Sequence, residues 1–328
     1  MSIKQLVKKL DKNGKIRKTY YKLKETNSRR RFAERKIYNI FGIKQNGTVY
    51  IIRRNNSVAG LFSYFQTTLG ELAYADKCGF IPVVDYCNYA NSYLYKEEIG
   101  KINSWEYFFE QPSKLTLHDG LKSKRIILGD GRSIHGMPGP SADLFYNRQG
   151  ELDYWKSICD KYIKVNPSIK NQVNEAKKIF NGKKVLGVSC RGTDYVALRP
   201  HGHPIQPTIE EVMEKIDEVI EEQKYELIYL TVEDKKIIER MQEKYGDKLI
   251  MYDRKHADYD PNEIGLITGY DLGQKDDKYR QGFDYLVSML LLNECDGLIT
   301  SLTSGSLGVM CMSKGFSYLY VFDMGTYD

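Results

Sequence analysis

The alternation that begins at Lys184 constrains the fold more than any other feature of the chain. An apolar run over Lys184–Cys190 reads as a strand, and a long loop follows it through Pro207. Then come a helix over Ile209–Gln223, a strand over Leu227–Val232, a helix over Lys235–Tyr245 and a strand over Lys248–Tyr252. After another loop, a helix over Gly282–Glu294 precedes a strand over Gly297–Ser301, a small-residue turn and a helix from about Ser306 to Met312. Strands separated by helices pair in parallel through crossovers, so residues 171–328 are expected to form a Rossmann-like α/β domain.

The first half opens in the same way. Two β-rich segments, Ile37–Ile43 and Thr48–Arg53, flank Asn46-Gly47, a spacing that predicts a tight hairpin. A loop over Asn55–Gly60 leads into helical periodicity from about Phe62 to Cys78, Gly79 stops it, and Phe80-Ile81-Pro82-Val83-Val84 runs into Asp85. This is a βαβ unit, and residues 37–170 are expected to form an N-terminal Rossmann-like domain. Residues 151–181 read as helices bridging the halves, and the Gly- and Pro-rich stretch Gly129–Pro140 reads as loop. Two open sheets facing a cleft would bind ligand at the carboxyl ends of their strands.

Residues 1–36 stand apart as a basic extension. The first 40 residues contain fourteen Lys and Arg against three Asp and Glu, so the remainder of the chain is net acidic. Ile3, Leu6, Val7 and Leu10 recur at helical spacing among Lys4, Lys8 and Lys9. A helix lying on an anionic membrane and a merely solvated extension both fit that pattern. Arg29, Arg30 and Arg31 lack neighbouring aromatics that could read bases, so no nucleic-acid partner is expected. No apolar run approaches a bilayer span and the first residues lack a secretory signal, so the expected address is the cytoplasm, with a peripheral membrane contact through residues 1–31 open. The six cysteines are scattered without zinc-site spacing and read as reduced, buried thiols.

Chemistry concentrates in a few strand ends. In Gly187-Val188-Ser189-Cys190-Arg191-Gly192-Thr193-Asp194-Tyr195 an apolar strand delivers an Arg, which can grip a phosphate through two parallel hydrogen bonds, beside a Gly that lets a ligand approach the backbone. Pairing of Arg191 with Asp194 in a structural turn is the alternative. Thr300-Ser301-Leu302-Thr303-Ser304-Gly305-Ser306 joins a strand to a helix and offers hydroxyls and amides where the helix dipole favours an anion. Capping accounts for one or two of those hydroxyls. Thr231-Val232-Glu233-Asp234 ends another strand, where Asp234 also serves as an N-cap. His201 and His203 lie in the loop after Arg191 and suit phosphate contact or proton transfer. Asp258-Tyr259-Asp260 and Asp276-Asp277 have formal metal-ligand spacing but lie in polar loops and read as solvated surface, so no metal is expected.

The segment from Gly187 to Pro204 resembles the first signature of the α-1,6-fucosyltransferases and the rhizobial nodulation-factor fucosyltransferases, with the protein O-fucosyltransferases as more distant relatives. In that signature an apolar strand runs into His-x-Arg-Arg-x-Asp. Here Ser189 replaces the His, Arg191 keeps the first Arg, Gly192 replaces the second, Asp194 keeps the Asp, and His203-Pro204 falls where the α-1,6 family has a His-Pro pair. Gly60–Asp85, Tyr229–Asp234 and Asp296–Ser306 are similar, in order, to the family's glycine loop with its helix and strand, its acidic strand end and its serine-rich phosphate loop. The resemblance spans roughly residues 50–315.

It implies a GT-B fold, two Rossmann-like domains facing a cleft, and metal-independent, inverting transfer from GDP-fucose to a glycan acceptor, as in capsule, cell-wall or other surface polysaccharide. It further implies that Arg191 contacts the β-phosphate, that Thr303, Ser304, Gly305 and Ser306 bind the pyrophosphate, and that Gly192, His203 and Asp234 belong to the donor region. The position of the family's proposed catalytic Glu holds Arg199. The family's guanine-holding Asp falls near Ser288, with Asp284 one turn earlier. For the base, Asp194 is expected, with His203 and His201 behind it. Gly60, Phe62 and Trp105 are expected on the acceptor side, and a lipid-linked glycan is one candidate acceptor. A UDP- or CDP-linked donor and a catalytically decayed nucleotide-sugar-binding protein remain as alternatives. A dinucleotide oxidoreductase is disfavoured because no Gly-x-Gly-x-x-Gly follows a first strand.

Overall fold

A computed structural model describes residues 33–54, 59–130, 140, 149–191, 194–199, 201–256 and 271–327. The basic helix expected around Ile3–Leu10, and Arg29, Arg30 and Arg31, Gly192, and the Asp258-Tyr259-Asp260 run, lie outside those residues.

The first sheet holds β1 (Arg35–Tyr38), β2 (Val49–Arg53), β3 (Ile81–Asp85) and β4 (Arg125–Leu128) in the order β1-β4-β2-β3. The expected hairpin does not form. β1 pairs antiparallel with β4, with Ile37 opposite Ile126, while β2 has parallel partners on both sides. All of β2 is buried, so this strand belongs at the sheet centre, and its two edges are already taken by β3 and β4. Local turn chemistry at Asn46-Gly47 yields to that demand.

Helix α1 (Leu61–Cys78) makes the β2-to-β3 crossover. It stops at Gly79, whose left-handed φ of 66° lets its N–H reach Asp76 O while the Phe80 N–H reaches Ala75 O. Only a glycine adopts that turn without strain. A short α2 (Leu117–Leu121) precedes β4.

The second sheet is wholly parallel, with β5 (Val185–Ser189), β6 (Leu227–Thr231), β7 (Leu249–Ile250), β8 (Gly297–Ser301) and β9 (Tyr318–Phe322) in the order β7-β6-β5-β8-β9. Its helices include α5 (Asp194–Leu198), α6 (Ile209–Gln223), α7 (Lys235–Tyr245), α8 (Asp277–Leu292) and α9 (Ser304–Met312). Strand β7 is shorter than its apolar run predicts. Helix α8 starts at Asp277, ahead of the expected Gly282; Asp276 is exposed, but buried Asp277 accepts the Leu272 N–H at 3.1 Å and is a structural anchor, not solvated surface.

Two bridging helices, α3 (Gln149–Tyr162) and α4 (Pro167–Ala176), fill the region read as helical, with a break where Pro167 begins a new helix. Helix α9 packs on both α1 and α3, and α4 packs on α8, so helices of each half rest on the other. A Cβ on Gly308 of α9 would stand 2.1 Å from Cδ1 of Phe62 on α1, so glycine is what permits this approach. One apolar cluster runs from Tyr50 and Phe65 through Trp155 to Leu286 and Met310. Cys87, Cys159, Cys295 and Cys311 are buried free thiols, Cys190 is half-buried and Cys78 is exposed. Among the described residues no helix is long and apolar enough to cross a membrane.

Candidate functional site

In the second sheet the chain goes from β5 outward to β6 and β7 on one side, then returns to place β8 and β9 on the other. The crossovers therefore diverge at the boundary between β5 and β8, the point at which open sheets of this kind form a ligand crevice beyond the carboxyl ends of their strands. Arg191 follows β5 and the serine-rich turn follows β8, so the two segments singled out in the sequence flank this one crevice.

The turn is built before any ligand arrives. Thr303 is the N-cap of α9: its hydroxyl accepts the Ser306 N–H at 3.1 Å, and its own N–H donates to Ser306 Oγ at 2.9 Å. Ser306 is buried and its hydroxyl donates to Ser301 O at 2.7 Å, so its side chain serves the turn itself. Gln206, also buried, braces the turn from the loop after Arg191: it accepts from Ser301 Oγ at 2.6 Å and donates to Leu302 O at 3.2 Å. Ser304 donates to Gln66 of α1 at 3.0 Å, a contact between the halves. A Cβ on Gly305 would lie 2.8 Å from the Tyr285 hydroxyl, so the backbone there must stay bare. What the first turn of α9 presents is chiefly N–H groups, which in a helix have no partner within it.

Arg191 lies over the ring of Tyr195, 4.6 Å from its centre, and the Tyr195 ring meets His203 edge-on at 5.2 Å. Tyr195 thus links Arg191 to His203 in one cluster. His203 is exposed, and its backbone carbonyl accepts the Tyr327 N–H at 2.9 Å, which ties the loop to the C-terminal segment.

Behind Arg191 stands an ion pair that motif reading missed in part. Arg254, just past β7, donates Nη1 to Glu233 Oε2 at 3.0 Å and Nη2 to Glu233 Oε1 at 2.7 Å. Burial pushes the Glu233 carboxyl up, but Arg254 outweighs it, with His256 and Arg191 adding, so the carboxyl sits below its ordinary range. Burial and the Arg254 charge hold His256 below the usual imidazole value, and its Nδ1 is buried without a hydrogen-bond partner. Burial lifts the Tyr285 hydroxyl to about 12 against the opposing charge of Arg191. Arg254 and Tyr285 belong to no motif, but the Arg and the Glu each lie just beyond a parallel strand, which is the signal that could have found the pair.

The remaining expected residues fall differently. Asp194 begins α5, three residues after Arg191. Asp234 caps α7 by accepting the Lys236 N–H at 2.9 Å, and Arg199 is exposed with a φ of 41°. Ser288 is buried, and its hydroxyl bonds to that of Thr231 at 2.7 Å, so it faces the sheet and offers no edge to a base. Asp284 is half-buried, 3.4 Å from the Tyr252 hydroxyl; burial lifts its carboxyl above the ordinary range.

Gly60 precedes α1 as its N-cap with an ordinary φ of −74°. Phe62 is buried against Tyr285, with ring centres 5.7 Å apart, and so packs across the halves. Trp105 corrects the expectation of an acceptor-facing ring: it is 2% exposed, packs tilted against Phe109 with ring centres 4.6 Å apart and donates to Glu110 O at 3.0 Å. Near the first sheet's carboxyl edge, Arg54 donates to Ser63 O at 2.6 Å and Thr67 Oγ1 at 2.8 Å, a cation that the sequence reading passed over. No metal-ligating cluster of His, Cys, Asp or Glu occurs among the described residues.

This arrangement of two sheets matches a solved structure of POFUT1 in complex with GDP, at a TM-score of 0.51 and 12% identity over 85% of this chain and 99% of that one. The chain has the GT-B fold of that structure. The fucosyltransferase NodZ from Bradyrhizobium superposes at a TM-score of 0.49 and 14% identity, over 85% of this chain and 96% of that one. A NodZ α-1,6-fucosyltransferase soaked with GDP-fucose gives 0.46 and 14%, over 81% and 93%. No protein-family model and no curated protein sequence matches the chain.

Proposed function

We propose that this protein is an inverting glycosyltransferase that moves a sugar from a nucleoside diphosphate donor, GDP-fucose in the first instance, to a glycan acceptor. The observation that carries the reading is the convergence of Arg191 and the Thr303–Ser306 helix start on the two sides of one strand-end crevice. A guanidinium and a row of helix amides are what a departing diphosphate needs, because both stabilise charge that grows as the bond breaks.

In the proposed reaction the acceptor hydroxyl oxygen attacks the anomeric carbon while the bond from that carbon to the β-phosphate oxygen breaks. The hydroxyl proton passes to Asp194, with His203 as the nearby alternative, and the diphosphate leaves against Arg191 and the amides of Ser304 and Gly305. These cationic and dipolar groups supply the leaving-group stabilisation, so the proposed step uses no metal. Gly192 and Asp234 would line the donor region, and Gly60 the acceptor side.

Ser288 gives a specific reason to keep a second donor in view. Its hydroxyl is engaged with Thr231, so recognition of a guanine would fall to Asp284, one turn away. A UDP- or CDP-linked sugar is the corresponding second reading. We further propose that residues 1–36 form an extension, 37–170 the acceptor domain and 171–328 the donor domain, in a cytoplasmic enzyme whose basic residues 1–31 touch an anionic membrane bearing a lipid-linked acceptor. Liposome binding unchanged by deletion of residues 1–31 would sink that last part.

The test is calorimetric titration with GDP, UDP, CDP and their sugar conjugates in EDTA, with Arg191→Ala as control. Binding of GDP-fucose that is lost in the variant and indifferent to EDTA supports the reading. Binding of another nucleotide alone overturns the fucose assignment, and binding of none overturns the transferase.

A further inference from the structure

None of the residues proposed to hold the donor lines a cavity of 340 Å³ that opens where the loops after β3 meet the starts of α4 and α8. That size is within the range of small-molecule sites, about 300–1,000 Å³. Four tyrosines line it: Tyr93, Tyr95, Tyr107 and Tyr279. Tyr107 and Tyr279 meet edge-on with ring centres 5.0 Å apart, joining the first half to the second.

Three carboxylates, Glu98, Glu106 and Asp276, share the lining, and no Lys or Arg is among the described residues that form it. Two of the acids are already committed in part: Glu98 accepts the Tyr95 N–H at 2.7 Å, and Glu106 accepts from Gln111 at 2.7 Å. Asp276 caps no amide at the start of α8 and is exposed. The nearby Lys278 donates to Leu94 O at 2.6 Å and lies 4.9 Å from the centre of the Tyr95 ring, so one ammonium of the chain already stands beside this wall and the three acids outnumber it. Tyrosine faces stack on the C–H faces of pyranose rings, and they also attract cations. Carboxylates accept from sugar hydroxyls, and three in one cavity without a lining base favour positive charge.

We propose that this cavity is a saccharide site selective for a ring that carries a protonated amine. Taking that saccharide as part of the acceptor rests on the transferase reading; the binding itself does not. Neutral sugars meet the same aromatic walls but leave the carboxylates without a cationic partner, and a flexible polyamine meets the charge but lacks a ring to stack.

The experiment is calorimetric titration of the full chain with a β-1,4-linked glucosamine tetrasaccharide, its fully N-acetylated counterpart and spermine. Asp276→Asn and Tyr279→Ala are compared with the parent chain, and thermal melting shows whether each variant is folded. The expected result is binding of the glucosamine tetrasaccharide about tenfold or more tighter than of the acetylated one, the difference expected when a charged hydrogen bond is lost. Asp276→Asn weakens it severalfold, and folded Tyr279→Ala weakens it further. Equal binding of the acetylated sugar, binding of spermine alone, binding of no probe, or affinity unchanged in both variants overturns the proposal. Titration of the same samples with GDP separates the two readings: GDP binding without saccharide binding sinks this site alone, and saccharide binding without any nucleotide binding sinks the donor reading alone.

Discussion

The guanidinium of Arg254 clasps the carboxylate of Glu233 with two parallel hydrogen bonds, 3.0 and 2.7 Å long, and its Nη2 also reaches Val232 O at 3.2 Å. Arg254 is 6% exposed, so removing it would leave a largely enclosed carboxylate without its partner. Arg254→Ala is expected to cost about 3 kcal/mol, in the range found for breaking buried pairs. Arg254→Lys keeps the charge but not the fork, and should recover only part of the loss. Urea denaturation of the two variants measures this, and a fully stable Arg254→Ala would show that Glu233 finds water or another cation.

Acid should weaken the same corner in two stages. His256 has a folded value below its ordinary 6.5, so the unfolded chain binds its proton first, and stability begins to fall as pH drops below about 6.5. Glu233 has a folded value below its ordinary 4.5, so its contribution is present above that pH and is lost as pH falls through the folded value. Melting temperature followed from pH 7.5 to 4 should decline from near 6.5, and His256→Asn should flatten that first decline. An unchanged profile in the variant would place the acid sensitivity elsewhere.

Much of this was legible in the sequence because parallel strands write their pattern locally. The runs at Val185–Ser189 and Gly297–Ser301 are buried throughout or nearly so, and their apolar stretches end abruptly in polar residues at the crevice. Strand β9 was not legible even though α9 precedes it: Tyr318–Phe322 sits at a sheet edge with a mixed burial pattern, without the continuous apolar run of a buried parallel strand. Nor was β1's partner, because Asn46-Gly47 is a correct local signal defeated by competition for β2. The roles of Trp105 and Ser288 depend on which way a side chain faces, and composition around an aromatic or a serine does not decide that. Gln206 and Tyr285 act through contacts with residues about 100 positions away or on other elements, so no spacing rule could point to them.

Asp284 separates a donor contact from a structural one. Burial raises its carboxyl pKa, which means that charging it already costs the folded state something. Asp284→Asn should therefore leave stability at pH 7 unchanged or slightly higher. If the carboxylate holds the donor base, the same variant should weaken nucleotide binding about tenfold, the size of one charged hydrogen bond. Calorimetry and thermal melting on one sample decide it, and a variant that binds normally removes Asp284 from the donor site.

Gly308 should prove as restrictive as any polar residue. Gly308→Ala drives its Cβ into Phe62, at 2.1 Å before relaxation, where α9 crosses α1. Overpacking of this kind costs about 1–3 kcal/mol. Phe62→Leu alone should also destabilise, but the double variant should be more stable than the sum of the single losses predicts. Strict additivity would show that the helices separate instead of repacking.

Gln206 gives the sharpest test of whether the crevice is one unit. Its side chain joins the loop downstream of Arg191 to the turn that begins α9, through Ser301 Oγ at 2.6 Å and Leu302 O at 3.2 Å. Gln206→Leu fills similar space but leaves that hydroxyl and carbonyl buried without a partner, at an expected cost of about 1–3 kcal/mol. Because the lost bonds hold the amide-bearing turn, nucleotide affinity should fall with stability even though Gln206 is not proposed to touch a ligand. Ser301→Ala in the Gln206→Leu background should recover part of the stability by removing one unpaired group, without restoring affinity. Chemical denaturation and calorimetry on the two variants measure both quantities, and a Gln206→Leu chain that is less stable but binds nucleotide as before would mean that the turn holds its geometry alone.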